Sequence, residues 1–91
     1  MADSEIDIWH NEAQERFEGP DGSHLSYSRD GTRVDMNHTY VPPSLRGHGV
    51  AGALTEAALE EARDLGWIVI PSCSYVAAYI QRHPEYADLV E

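Results

Sequence analysis

The chain has 91 residues, of which 16 are Asp or Glu and six are Arg, with no Lys, so its formal net charge is −10. A chain of this length is expected to form one domain over residues 1–91. Nucleic acids and anionic membrane surfaces bind basic faces, so the acidic composition argues against both as partners.

The cysteine and histidine residues also limit which disulfide and metal sites the chain can form. Cys73 is the only cysteine, which excludes an intrachain disulfide and a cysteine-cluster zinc site. No two of the five histidines have H-x-x-x-H spacing, so no metal site is expected. The first nine residues lack the apolar core of a signal peptide, and the longest apolar stretch, around residues 67–70, is too short to cross a bilayer. These features predict a cytoplasmic protein.

Alternating segments predict strands in the first half of the chain, over residues 6–8, 13–18, 24–28 and 33–41. Gly19-Pro20-Asp21-Gly22 and Asp30-Gly31 mark turns between them. Strict alternation in the last of these strands places Val34, Met36, His38 and Tyr40 on one face.

The hydrophobic period changes in the second half. Apolar residues at three- and four-residue spacing predict a helix from Gly49 to Leu65 that ends at Gly66. A short buried strand over residues 67–70 ends at Pro71. A second helix, over residues 74–81, is expected to be capped by Ser72 or Ser74 and to end before Pro84. This order predicts an α+β or mixed α/β layered fold.

The most informative segment runs from Val41 to Ala51 and joins a strand to the long helix. Two prolines stop the strand, and Gly47 and Gly49 precede the helix. Exposed backbone amides at a helix N-terminus, approached through glycines, form an anion site suited to phosphate or pyrophosphate.

Two familiar phosphate loops do not fit this segment. No Gly-Lys-Ser/Thr follows, so it is not a Walker A loop. Residues 47–52 match G-x-G-x-x-G in letters, but antiparallel strands precede them and residues 69–72 offer no acidic residue. The dinucleotide-binding interpretation is therefore rejected.

Residues 46–51 have the form Q/R-x-x-G-x-G/A, which resembles the acyl-CoA pyrophosphate loop of the GNAT (GCN5-related N-acetyltransferase) superfamily. The surrounding motifs are similar to those of its minimal, single-domain members of about ninety residues. They comprise His38-Thr39-x-Val41-Pro42, Pro71-x-Cys73-Ser74 and His83-Pro84-Glu85-Tyr86. The resemblance covers residues 8 to 89.

The resemblance implies a GNAT-like fold, with a curved, mostly antiparallel sheet and two main helices packed on it. It implies acetyl-CoA or CoA as cofactor. The main-chain amides of Arg46, Gly47, His48, Gly49, Val50 and Ala51 would hold the pyrophosphate, and the strand end at Val41 would pair with the pantetheine arm. Arg46 is the one cationic side chain near this loop, and it would offset repulsion between the acidic protein and its polyanionic ligand.

The resemblance also implies a catalytic role for Cys73. The residue precedes a predicted helix, whose N-terminal field favours thiolate. Its chemistry would be thioester exchange or proton transfer during direct attack of an amine. The alternative interpretation is a small buried residue between sheet and helix.

His38 has two interpretations as well, a general base near the thioester or a hydrogen-bonded core residue. His48 is expected to face solvent, and His83 to cap a helix end. Tyr75 and Tyr79 could supply a general acid, but together with Trp67 and Phe17 they are predicted to form core.

Three functions remain open, and the least specific of them is a structural domain whose glycine loop binds anions adventitiously. The first is an acetyl-CoA-dependent N-acetyltransferase acting on an amine, with an acidic surface that would attract a cationic amine or a basic protein. The second is a non-catalytic CoA-binding or protein-interaction module, which the small size of the chain favours. The sequence names neither the acceptor nor the oligomeric state.

Overall fold

Five strands form one sheet in the order in which they follow along the chain. The structure is a computed structural model that describes residues 6–91. The strands are β1 (Trp9–Asn11), β2 (Arg16–Glu18), β3 (His24–Asp30), β4 (Arg33–Tyr40) and β5 (Ile68–Ile70). Strands β1 to β4 are antiparallel to their neighbours, and β5 lies parallel to β4. The sheet is thus mostly antiparallel, as the sequence predicts.

Two helices connect to the parallel pair. Helix α1 (Val50–Leu65) leads from β4 to β5, and helix α2 (Ser74–Arg82) follows β5. Gly66 ends α1 in the left-handed conformation, with φ of 72°, and its amide donates to the carbonyls of Ala62 and Arg63. Short 3₁₀ turns cover Glu12–Gln14, Pro20–Gly22, Pro43–Leu45 and Pro84–Leu89. The predicted α+β architecture is confirmed.

One face of the sheet, called here the inner face, packs against both helices. Its strand residues join α1, α2 and the last 3₁₀ turn in a single apolar core. The largest fully buried members include Phe17, Leu25, Met36, Leu54 and Leu59.

The opposite face, called here the outer face, carries large side chains that remain in contact with solvent. Trp9 is 62% exposed, Ile68 39% and Tyr40 38%. Since an antiparallel sheet can face water on one side, this arrangement is stable without a second layer.

The predicted alternation of β4 was wrong, because a β-bulge interrupts that strand. Met36 pairs with Tyr27, but His38 pairs with Ser26, so Asn37 is an extra residue on β4. An extra residue reverses which face each later side chain points to. Val34 and Met36 are buried in the core, whereas His38 and Tyr40 lie on the outer face and Thr39 takes the inner position opposite Leu25.

Several predicted boundaries were wrong in detail. The first strand is not residues 6–8 but begins at Trp9, and the strand predicted over residues 13–18 begins only at Arg16, because a 3₁₀ turn covers Glu12–Gln14. Neither Ser72 nor Ser74 caps α2, because Cys73 occupies that position and no side chain bonds there. Residues 1–5, on which part of the signal-peptide expectation depends, lie outside the described residues.

Candidate active site

An open cleft lies where the end of β4, the start of α1 and the start of α2 meet. Strands β4 and β5 pair only from Arg33 to Asp35 and from Ile68 to Ile70, and Pro71 then ends β5. The cleft beyond this point has a volume of about 330 Å³. It is lined by Val41, Leu45, Arg46, Gly47, Gly49, Val50, Ala51, Gly52 and Tyr75.

The structure brings together all but one of the residues predicted to bind the cofactor. Val41, Arg46, Gly47, Gly49, Val50 and Ala51 line the cleft, and the exposed His48 does not. Leu45, Gly52 and Tyr75 also line it and were missed. The sequence could have indicated Gly52, because a residue in the first turn of the predicted helix lies on the same side as the loop.

Gly47 and Gly49 give the loop its shape. Their φ angles are 84° and 85°, in the left-handed region that favours glycine, and nothing within 4 Å would meet an added Cβ at either residue. Glycine is therefore required at both positions by backbone conformation rather than by crowding.

The N-terminal amides of α1 point toward the cleft without partners in the helix. The first bond of the helix is donated by the Ala53 amide to the Gly49 carbonyl, at 3.0 Å. The amides of Val50, Ala51 and Gly52 thus have no intrahelical acceptor. Together with the helix dipole they form a site that favours an anion.

Arg46 connects the loop to the end of the strand. Its Nε donates to the Val41 carbonyl at 3.0 Å, while the backbone amide of Arg46 donates to the Pro43 carbonyl at 3.3 Å. The guanidinium is exposed. This bond fixes the direction of the side chain and leaves both Nη groups for an anion in the cleft.

Cys73 lies immediately before α2, two residues before Tyr75, which lines the cleft. Its amide donates to the Met36 carbonyl at 2.9 Å, which attaches it to β4 at the bulge. The Thr39 hydroxyl lies 3.5 Å from the Cys73 sulfur. Burial raises the pKa of the Cys73 thiol, but the Thr39 hydroxyl and the nearby amides of Val76, Tyr75 and Thr39 outweigh it, so the pKa lies below its usual value.

His38 lies on the other face of the sheet from Thr39. It is exposed, and its ring centroid is 5.9 Å from that of His24. The prediction that it shares a face with Val34 and Met36 was wrong, because the bulge intervenes. A base at His38 would therefore act from the outer face, and its catalytic role stays a prediction.

Of two further predictions, the one on Tyr75 was wrong and the one on His83 agrees with the structure. Tyr75 was predicted to be core but is 39% exposed and lines the cleft. His83 ends α2 as predicted, and its Nδ1 lies 2.9 Å from the Tyr79 carbonyl oxygen.

His10, to which the sequence assigned no role, lies on the inner face between three elements. Its Nε2 is 2.7 Å from the Tyr27 hydroxyl oxygen and its Nδ1 is 3.3 Å from a Glu61 carboxylate oxygen. Its ring stacks on Phe17 at 4.1 Å between centroids. These contacts join β1 to the C-terminal half of α1, so His10 has a structural role.

Within residues 6–91, no group of three or more His, Cys, Asp or Glu side chains is arranged to hold a metal ion. Over the same range, no helix combines the length and the apolar character that a membrane span requires.

The glycine loop, the unpaired helix amides and the parting of β4 from β5 agree with a comparison to known families. A family model described as GCN5-related N-acetyl-transferase matches residues 12–89. The chain belongs to this family. The general activity of GCN5-related N-acetyltransferases is transfer of an acetyl group from acetyl-CoA to an amine.

Individual relatives support the same assignment. Among solved structures, an NMR structure of a protein from Staphylococcus aureus described as GCN5-like matches with a TM-score of 0.75 and 26% identity, covering 97% of this chain and 90% of that one. Protein NATD1 from chicken, mouse and human is 36% identical over 61 residues, or 66% of this chain. The match covers 56% of the chicken and mouse proteins and 54% of the human one, a little over half of their length.

Proposed function

We propose that this chain binds acetyl-CoA in the cleft and transfers its acetyl group to a cationic amine acceptor. The observation that carries the proposal is an anion site in the cleft, with a half-buried thiol two residues before Tyr75, which lines the same cleft. The anion site consists of the free amides of α1 and the guanidinium of Arg46. The thiol belongs to Cys73, which precedes α2 at the same end of the sheet.

The residues of the cleft fit the phosphate end of the ligand. The amides of Val50, Ala51 and Gly52 and the Nη groups of Arg46 would hold the pyrophosphate. Apolar contact from Val41 and Leu45 at the other side of the cleft would receive the pantetheine arm. When bound, the thioester supplies the acetyl group.

Cys73 provides two routes for the transfer. In the first, its thiolate bonds to the acetyl carbonyl carbon as the CoA sulfur leaves and takes up a proton. The amine then displaces Cys73 and loses its own proton, and the thiolate is restored. In the second, the thiolate accepts the proton of an amine that attacks the thioester directly. An acetyl group found on Cys73 by intact-protein mass spectrometry, in the absence of amine, identifies the first route.

The net charge of −10 supports a cationic acceptor. An acidic surface raises the local concentration of amines that carry additional positive charge. Polyamines, lysine side chains and basic N-termini belong to this class. The outer face is open to such an acceptor, and His38 lies on it as the candidate base.

Ligand-induced stabilisation tests the binding step. At tenfold excess over the dissociation constant, CoA should stabilise the fold by about 1.4 kcal/mol. For a domain of this size that is a rise in melting temperature of roughly 5–10 °C. ATP and NAD at the same concentration serve as controls, and equal stabilisation by all three would indicate a general anion site instead.

Release of CoA from acetyl-CoA, separated chromatographically and measured with a panel of amines, tests the transfer step. We expect faster release with spermidine or a lysine-containing peptide than with buffer alone. Stabilisation by CoA without release in the presence of any amine would establish the rival function, a non-catalytic CoA-binding module.

A further inference from the structure

The bulge in β4 selects which side chain meets the Cys73 sulfur. Met36 is the last buried residue of the regular part of the strand, and with unbroken alternation His38 would follow it on the inner face. The extra residue Asn37 instead places Thr39 on that face, opposite Leu25. The Thr39 hydroxyl is consequently the β4 side-chain group near the thiol, with its oxygen 3.5 Å from Sγ.

Hydrogen bonds on the outer face stabilise the bulge. The Asn37 side-chain oxygen accepts from the Ser26 hydroxyl at 3.1 Å, and its amide nitrogen donates to the Ser28 hydroxyl at 3.2 Å. Both serines belong to β3, the strand that pairs with β4. Asn37 therefore joins the bulge to two positions on its neighbour, and register at Thr39 is fixed.

Cys73 is also held through its backbone. Its backbone is attached to β4 through the bond from the Cys73 amide to the Met36 carbonyl, at 2.9 Å. The amides of Tyr75 and Val76 lie in the first turn of α2 and lower the pKa of the thiol, although no side-chain capping bond forms at Cys73. No charged side chain of the described residues is among the main influences on this thiol.

We propose that Thr39 is a positioning residue, whose hydroxyl donates to the Cys73 sulfur and holds it in one orientation. Without a bond to the facing strand, the half-buried sulfur would be free to rotate about its side-chain torsion. A donor on the facing strand fixes one rotamer and favours the thiolate. The use of that thiolate in acetyl transfer rests on the proposed function, but the contact itself does not.

Alkylation of Cys73 by iodoacetamide between pH 5 and pH 10 tests the proposal. Cys73 is the only cysteine, so the reaction reports this thiol alone. Thr39→Val keeps the side-chain shape and removes the donor. We expect the midpoint of its pH profile to rise by about one pH unit, which is about tenfold less thiolate near neutral pH. Thr39→Ser restores a hydroxyl and should return the midpoint to that of the wild type.

Thr32→Val is the matched control, because Thr32 is exposed in the β3–β4 turn. Its profile should equal that of the wild type. Thr39→Ala provides a second variant without the hydroxyl, should the valine variant fail to fold. Identical midpoints for wild type, Thr39→Val and Thr39→Ala would overturn the proposal.

The result is independent of whether the chain transfers acetyl groups. A raised midpoint in Thr39→Val supports the positioning role even if the wild-type protein releases no CoA. Absence of CoA release contradicts only the proposed function. Active wild-type protein with an unmoved midpoint in Thr39→Val removes only the role of Thr39.

Discussion

At the scale of single residues, Arg46 is the side chain that we expect to offset the charge of a polyanionic ligand. Its Nε is already bonded to the Val41 carbonyl, so little side-chain freedom is lost when the Nη groups meet phosphate. We expect Arg46→Ala to weaken CoA binding about tenfold or more, because a hydrogen bond to a charged group contributes about 1.5–3 kcal/mol. Isothermal titration measures the dissociation constant.

Arg82→Ala is the control for this measurement. Arg82 is exposed at the C-terminal end of α2, so its removal makes the same change in net charge without touching the cleft. Equal weakening in both variants would mean that overall charge, and not the position of Arg46, governs affinity.

The lowered pKa of Cys73 fixes the direction of the pH dependence. Either transfer route needs the thiolate, so the rate of CoA release should rise with pH as the thiol deprotonates. A lowered pKa places this rise at a lower pH than an ordinary thiol, near 8.5, would show. The profile is measured with acetyl-CoA and spermidine from pH 5.5 to pH 9.

Cys73→Ala should abolish this rise and lower the rate at pH 7. A variant whose rate and pH profile match those of the wild type would return Cys73 to the role of a packing residue between sheet and helix.

Much of the candidate site was predictable from residue type and spacing, because glycines before an amphipathic helix define the loop. Contacts between residues that are distant in the sequence could not be predicted in this way. The orientation of Thr39 and His38 depends on one extra residue, and no local pattern in β4 marks it. Tyr75 was assigned to the core on its aromatic character, yet it lies in the first turn of α2 and faces the cleft.

At the scale of elements, two glycines at the start of α1 differ in backbone conformation, so substitution by alanine should change stability in opposite directions. Gly49 has φ of 85°, and Gly52 does not have a positive φ. Gly49→Ala should lower the free energy of unfolding by about 1–2 kcal/mol, because a side chain in the left-handed region is strained. Gly52→Ala should raise it by about 0.5–1 kcal/mol, since alanine favours the helix.

Urea unfolding of the two variants provides the comparison, with each acting as the control of the other. The Cβ of Ala at position 52 would lie 3.6 Å from the Tyr75 hydroxyl oxygen, which is ordinary contact. Destabilisation by both substitutions to the same extent would contradict the conformational explanation.

The bulge is the element that the sequence did not reveal, and two changes at Asn37 test its contribution to stability. Deletion of Asn37 would remove the bulge but leave Met36 opposite Tyr27 and Thr39 opposite Leu25, so every later side chain keeps its face. We expect a loss of about 1 kcal/mol in stability, because only the bonds of Asn37 to its neighbouring strand are lost. Asn37→Ala keeps the residue count, loses only the bonds to Ser26 and Ser28, and should cost about 1 kcal/mol.

The remaining elements were largely predictable, and the reasons differ. Helix α1 has a long apolar period and a glycine at its end, so its bounds differ from the prediction by a single residue at the start. The short strands β1 and β2 contain three residues each. Their existence depends on pairing with β3, which local alternation does not report.

At the scale of the whole molecule, net charge and cofactor charge have the same sign. The chain measures 34 × 29 × 24 Å, and the Debye length falls from about 30 Å at 0.01 M salt to about 8 Å at 0.15 M. At low salt the entire charge of −10 therefore acts on an approaching ligand, whereas Arg46 and the helix amides act only at contact. The association rate of CoA should rise as NaCl increases from 10 to 150 mM.

Stopped-flow mixing measures this rate, and dephospho-CoA, which has fewer negative charges, should show a smaller rise. A rate that falls with salt would mean that positive potential at the cleft extends beyond the loop and outweighs the net charge.

The unequal faces of the sheet divide the two tryptophans. Trp67 is 4% exposed, and the Arg29 guanidinium carbon lies 5.5 Å from the centroid of its ring, whereas Trp9 is 62% exposed on the outer face. Their fluorescence is consequently separable, because acrylamide reaches Trp9 and is excluded from Trp67. In a Trp9→Phe variant the remaining emission follows unfolding of the core. In the wild-type chain, a decrease in the quenching of Trp9 therefore shows, without any label, that a molecule has bound to the outer face.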